Sequence, residues 1–201
     1  MTGPARLVVL VSGTGSNLAA LLRACEDPAY GARVVGVVTD TECPAAALGR
    51  DAAVPVDVVP LSDGRDPLVR AAWDGLLAEA VSAHRPDLVV CAGFMRLLGP
   101  AFLERFPAQV LNTHPSLLPS FPGAHAVRDA LAAGARRSGA TLFWVDEGVD
   151  TGEHIAQVEV PVLPDDDEAR LTARIKAAET PQLVEQVGRL ARERVTGDGR
   201  P

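Results

Sequence analysis

The sequence predicts an α/β fold: a doubly wound, mostly parallel sheet with antiparallel strands added near the C-terminal part. Three observations predict it. Short runs of Val, Leu and Ala alternate with longer helical stretches, the order that gives parallel strands joined by right-handed crossovers. Several of these runs are nearly continuous in apolar residues, as strands covered on both faces should be. After Asn112 the rhythm breaks, and two strand candidates follow one another with no helix between them.

The elements follow in order. Leu7–Val11 reads as the first strand and Asn17–Cys25 as the first helix. Val34–Val38, Val56–Val59, Leu88–Ala92 and Val110–Asn112 read as further strands. The helices between them are Pro44–Ala53, Pro67–Ala83 and Pro100–Phe106. All three open with proline, which suits a first turn because its missing N–H would have no partner there. A proline-rich loop (Pro115, Pro119, Pro122) leads to a helix near Ala126–Ala133, then to strands near Ala140–Val145 and Ala156–Pro161. A last helical stretch begins at Glu168 and is expected to break at Thr180-Pro181, because proline disfavours helix at the residue before it.

The 201 residues suit one domain, residues 1–195, with a frayed tail over 196–201. With 47% apolar, 22% charged and 4% aromatic residues, the composition is globular and excludes disordered and fibrous classes. A formal charge of −7 argues against general attraction to nucleic acid or anionic membrane. The three cysteines, Cys25, Cys43 and Cys91, form no CxxC pair, which speaks against a disulfide framework or a cysteine zinc site. The apolar run Leu7–Val11 is too short for a signal peptide or a membrane span. A cytoplasmic location is expected.

The first strand runs into Ser12-Gly13-Thr14-Gly15-Ser16-Asn17 and then a helix. Glycines let the backbone approach a ligand, and a helix start presents free N–H groups, a geometry suited to phosphate. The dinucleotide fingerprint needs a third glycine where Leu18 stands, and no Walker A lysine is present. Asp40, at the end of the second strand, could touch a ribose. The plain alternative is a tight turn capped by Ser16 or Asn17.

Ligands of open α/β sheets sit beyond the carboxyl ends of the strands, where Asn112-Thr113-His114-Pro115-Ser116 also falls. In an extended segment Asn112 and His114 project to the same side. Asn donates a neutral hydrogen bond, and His serves as acid, base or cationic donor. The acidic turn Asp146–Gly152 could fold back over the crevice, bringing Asp150 to hold an imidazolium. Each residue also has a structural reading: Asn112 as a turn cap, His114 as an interior histidine, Asp150 as a solvated loop acid. A zinc site from His114, His125 and Asp150 lacks HExxH or paired-Cys spacing, and no GxSxG elbow supports a serine hydrolase. His84 and His154 read as ordinary surface histidines.

Taken together, Val8–Leu18, Ala92–Leu98 and Leu111–Pro119 resemble the folate-dependent formyltransferases, and Phe121–His125 and Val149–Gly152 extend the match. The resemblance runs from about Leu7 to about Glu179. It implies a Rossmann-like formyltransferase fold and transfer of the formyl group of 10-formyltetrahydrofolate to the amine of glycinamide ribonucleotide. The product would be formylglycinamide ribonucleotide, on the route of de novo purine (IMP) biosynthesis. No metal, nucleic acid or membrane is implied, and a homodimer is left open.

By the same resemblance Asn112, His114 and Asp150 are the catalytic set. Gly13, Thr14, Gly15, Ser16, Asn17, Lys176 and Glu179 are expected to hold the phosphate and ribose. Arg65, Met95, Arg96, Leu97, Leu98 and Val145 are expected to hold the folate. Ser138 and Phe143 depart from histidines frequent in the family, and Thr180-Pro181-Gln182-Leu183-Val184 departs from His-x-x-Tyr-Pro. Competing readings are a formyltetrahydrofolate deformylase, a formyltransferase with another amine acceptor, and a nucleotide-sensing module. A methionyl-tRNA formyltransferase is disfavoured by the acidic charge and by the absence of room for an RNA-binding domain.

Overall fold

The structure, a computed structural model, describes residues 3–196. Five parallel strands, β1 (Ala5–Val11), β2 (Ala32–Thr39), β3 (Val56–Val58), β4 (Leu88–Cys91) and β5 (Val110–His114), are followed by β6 (Arg137–Trp144) and β7 (His154–Pro161), which run antiparallel to their neighbours. The order across the sheet is β3-β2-β1-β4-β5-β6-β7. The chain thus winds outward from β1 to β3, then crosses back to β4 and winds the other way. This reversal opens a crevice at the carboxyl ends of β1 and β4.

Alternation within β1 divides the core in two. Leu7, Val9 and Val11 pack on one face with Leu18 and Leu21 of α1 (Ser16–Ala24), Ala45 of α2 (Pro44–Asp51) and Leu183 and Val187 of α6 (Glu168–Thr196). Val8 and Leu10 pack on the other face with Trp73 and Leu77 of α3 (Pro67–Ala83) and Phe102 of α4 (Pro100–Arg105). All five β1 side chains are fully buried, each stabilising the fold by roughly 1.5–3 kcal/mol. A smaller cluster joins Val127 of α5 (Ala126–Ala132) to Ala140, Val160, Leu171 and Ile175.

Local chemistry accounts for the helix starts. Asp66 accepts from the Leu68 and Val69 N–H groups, and Pro67 opens α3 over the range expected from sequence. A 3-10 turn at Pro28–Tyr30, capped by Asp27, was not anticipated. The expected break at Thr180-Pro181 does not occur, since α6 runs through Pro181. Pro181 and Ala177, whose carbonyl loses its helical partner, are both exposed, so the lost bond falls on the solvent side of the helix. On the opposite side Leu183, Val187, Leu190 and Ala191 are buried at helical spacing and hold the helix against the sheet. The expected tail lies outside the described residues from 197 onward. No described helix is long and apolar enough to cross a membrane.

Candidate active site

Extended backbone from Val110 to His114 carries both Asn112 and His114 to the carboxyl edge of the sheet. His114 is buried (6% exposed). Its Nε2 lies 2.9 Å from the Phe121 carbonyl, which can only accept, so Nε2 carries a hydrogen. Its Nδ1 lies 3.4 Å from Asp150 Oδ2, longer than a well-formed N–H···O bond of roughly 2.7–3.2 Å. Nδ1 is therefore the ring nitrogen that faces the carboxylate. The acidic loop does fold back, as expected.

Asp150 is held in place by the loop opposite. Its Oδ2 also accepts from the Gly123 N–H at 2.7 Å. Asp150 has φ 55° and Gly123 φ 88°. Asp tolerates the left-handed region better than most residues, and Gly enters it freely. The residue types at these two positions therefore fit the backbone that brings the two loops together.

Asn112 and Asp150 line a cleft of about 260 Å³, together with Arg96, Leu97, Leu98 and Val145. Met95 is outside that lining and 68% exposed, although its N–H donates to Ser12 Oγ at 3.0 Å. Arg65 does not reach the cleft either; it is exposed, and its backbone N–H bonds Asp63. A larger hollow of about 460 Å³ between Leu117–Phe121 and Ala135–Ser138 touches none of Asn112, His114 and Asp150.

Sequence reasoning missed two residues of α3 that shape this cleft. Arg70 lines it, donates to the Leu97 carbonyl and lies over the Trp73 ring at 5.1 Å. Buried Asp74 accepts from the N–H groups of Gly99 and Phe102 at 2.7 and 2.8 Å, capping α4 and fixing the end of the loop. Neither has a local signature, because each acts on a loop more than twenty residues away. Cys91 also lines the cleft, and burial pushes its thiol up to about 12, so it stays protonated and unreactive.

The glycine-rich loop enters α1 without a side-chain cap. The residue before the helix is Gly15, not Ser16 or Asn17, which leaves first-turn N–H groups available to an anion. Gly15 has φ 80°, and a Cβ there would stand 2.8 Å from that of Ala45. Gly13, Thr14 and Ser16 are exposed. Asn17 is buried and accepts from Thr180 Oγ1 at 2.7 Å. Glu179 is buried, and burial pushes its carboxyl above the usual range, partly offset by the nearby Lys176 charge. Lys176, exposed on the same helix, is the chain's only lysine.

Two polar side chains have partners not foreseen from sequence. Asp40, read from sequence as able to touch a ribose, has Arg96 as its partner, its Oδ2 accepting from Arg96 Nε at 2.7 Å. His84 is not an ordinary surface histidine, for its Nε2 meets Asp57 Oδ2 at 2.6 Å beneath Gly36. Among the described residues no group of three or more His, Cys, Asp or Glu is arranged to hold a metal ion.

Comparison with known proteins bears on this geometry. The sequence profile of the formyl transferase family matches residues 5–187. The chain belongs to the formyl transferase family. A phosphoribosylglycinamide formyltransferase of Mycobacterium tuberculosis is 54% identical over 99% of this chain and 91% of its own length. One from Escherichia coli is 38% identical over 86% of this chain and 81% of its own. The crystal structure of glycinamide ribonucleotide transformylase 1 from Symbiobacterium toebii superposes with a TM-score of 0.84 at 38% identity, covering 94% of this chain and 90% of that one.

The departures within the formyl transferase pattern are accommodated. Phe143 pairs with Asn112 across β5 and β6 and lines the cleft. Thr180 bonds Asn17, and Leu183 is buried in the main core. The Ser138 hydroxyl is buried without a partner among the described residues.

Proposed function

We propose that this chain transfers the formyl group of 10-formyltetrahydrofolate to the amine of glycinamide ribonucleotide, giving formylglycinamide ribonucleotide in de novo purine biosynthesis. The observation that carries the reading is the His114–Asp150 pair, 3.4 Å apart, whose Asp150 lines a cleft together with Asn112. Both formyltransferase relatives compared above bear names of this activity.

The substrate amine attacks the formyl carbon, and the carbonyl π pair moves onto oxygen to give a tetrahedral oxyanion. The Asn112 amide and the protonated Nδ1 edge of His114 stabilise that charge, where one such donor is worth ~3 kcal/mol. Asp150 holds the imidazolium and receives the proton lost by the attacking nitrogen, directly or through water. Collapse of the intermediate breaks the carbon–N10 bond, and N10 takes up a proton as tetrahydrofolate leaves.

The uncapped start of α1 receives the phosphate, with the Lys176 ammonium beside it, and Glu179 accepts from ribose hydroxyls. The folate lies along Arg96–Leu98 and Val145, with the exposed Met95 at its margin.

The test is a formyl-transfer assay with purified protein, 10-formyltetrahydrofolate and glycinamide ribonucleotide, following release of tetrahydrofolate. Release that requires the nucleotide is expected. Folate turnover without it would show a deformylase, and no turnover would overturn the assignment of acceptor.

A further inference from the structure

Asp40 ends β2 with its side chain only 3% exposed. A carboxylate this desolvated is unfavourable unless it is paired and hydrogen-bonded. Its satisfaction is one-sided: Oδ2 binds Arg96 Nε at 2.7 Å, while Oδ1 is buried with no partner among the described residues. Arg96 lies 56 positions farther along the chain, in the loop after β4, and its side chain is 41% exposed where it lines the cleft.

The pairing atom matters. A guanidinium is planar and carries its N–H groups in a fixed fork. Holding Nε sets the plane of the group and leaves the two terminal nitrogens for another acceptor. The cleft lining also carries both signs of charge from separate segments: Arg70, which reaches the Leu97 carbonyl, and Arg96 beside it, against Asp146, Glu147 and Asp150 of the loop between β6 and β7. Arg70 is already engaged with the Leu97 carbonyl and the Trp73 ring. An anionic part of a ligand is drawn to the arginines and repelled from the acidic loop, and Arg96 is the group poised to meet it.

We propose that Asp40 is a positioning residue for the formyl donor: it fixes the Arg96 guanidinium so that its terminal nitrogens receive a carboxylate of the donor's glutamate. The inference rests on the donor occupying this cleft. Pre-set geometry raises affinity by removing the ordering that a free arginine undergoes on binding.

The experiment compares wild type, Asp40→Asn, Arg96→Ala and the double variant with two donors: 10-formyltetrahydrofolate, and its analogue whose glutamate is replaced by an uncharged methylamide. Asp40→Asn is expected to raise KM for the intact donor about ten-fold, the scale of one charge-assisted hydrogen bond. KM for the nucleotide and kcat should stay within about two-fold, and the neutral donor should be unaffected. In the Arg96→Ala background Asp40→Asn should add nothing. Arg96→Lys, which keeps a charge for Asp40 but loses the fork, should show the same donor selectivity even if Asp40→Asn folds poorly. Equal losses with both donors, additive losses in the double variant, or an unchanged KM would overturn the positioning role while leaving the cleft's function intact. Wild type inactive with both donors would bring down the cleft reading and this inference together.

Discussion

At the scale of single residues, the site separates groups that act on charge from groups that carry the cost of being buried. Asp150→Asn removes the carboxylate facing His114 Nδ1 while leaving an acceptor for the Gly123 N–H. Transfer is expected to fall by at least about 10²-fold, with donor affinity nearly unchanged by titration. Retained activity would refute the proton route proposed here. Glu179 behaves differently. Its folded carboxyl sits above its unfolded value because of burial, so its contribution to stability is complete below the ordinary range near about 4.3 and is lost as pH rises through the folded value. Glu179→Gln should therefore melt higher than wild type at pH 8, converge with it at pH 4, and bind nucleotide more weakly. A pH-independent difference in Tm would count against this account. Lys176→Ala should weaken the nucleotide more than the folate, and equal losses in the two affinities would remove it from the phosphate site.

At the scale of elements, α3 supplies Arg70 to the cleft lining, and α6 packs against the main core. Asp74→Ala leaves two backbone N–H groups of the Gly99–Phe102 turn without acceptors, costing about 1–3 kcal/mol of stability and loosening the loop that Leu97 and Leu98 belong to. Chemical denaturation would read the first effect and donor KM the second. In α6, Pro181 is tolerated rather than required. Pro181→Ala restores the missing backbone donor and is expected to stabilise by ~1–3 kcal/mol, seen as a higher midpoint with an unchanged denaturant slope. A lower midpoint would mean that Pro181 is needed for the path of the helix.

At the scale of the whole molecule, the sheet brings two loops distant in sequence to one crevice. Much of this was legible. The apolar runs marked β1 and β4 because strands buried on both faces leave an uninterrupted pattern, and Pro67 marked the start of α3 because a first-turn proline is a local signal. Asn112 and His114 could be placed on one side by strand alternation, and Asp150 by the turn-rich loop that carries it. What could not be read depends on contacts across the fold. The pairing of Asp40 was not legible because its partner, Arg96, becomes its neighbour only when β2 and β4 stand on either side of β1. Arg70 and Asp74 sit in a regular helix with no motif around them. The break expected at Pro181 ignored burial of the opposite helix face, which outweighs one lost hydrogen bond.

Of the nineteen lysine and arginine residues, Lys176 is the sole lysine, and it stands exposed on α6, one turn before Glu179. The chain therefore carries a built-in reporter. Apart from the α-amino group, an amine-directed acylating reagent meets one side chain, so an intact-mass spectrum resolves its labelling without digestion. Shielding of that one amine by added nucleotide would test its proposed place beside the phosphate, in the absence of any turnover.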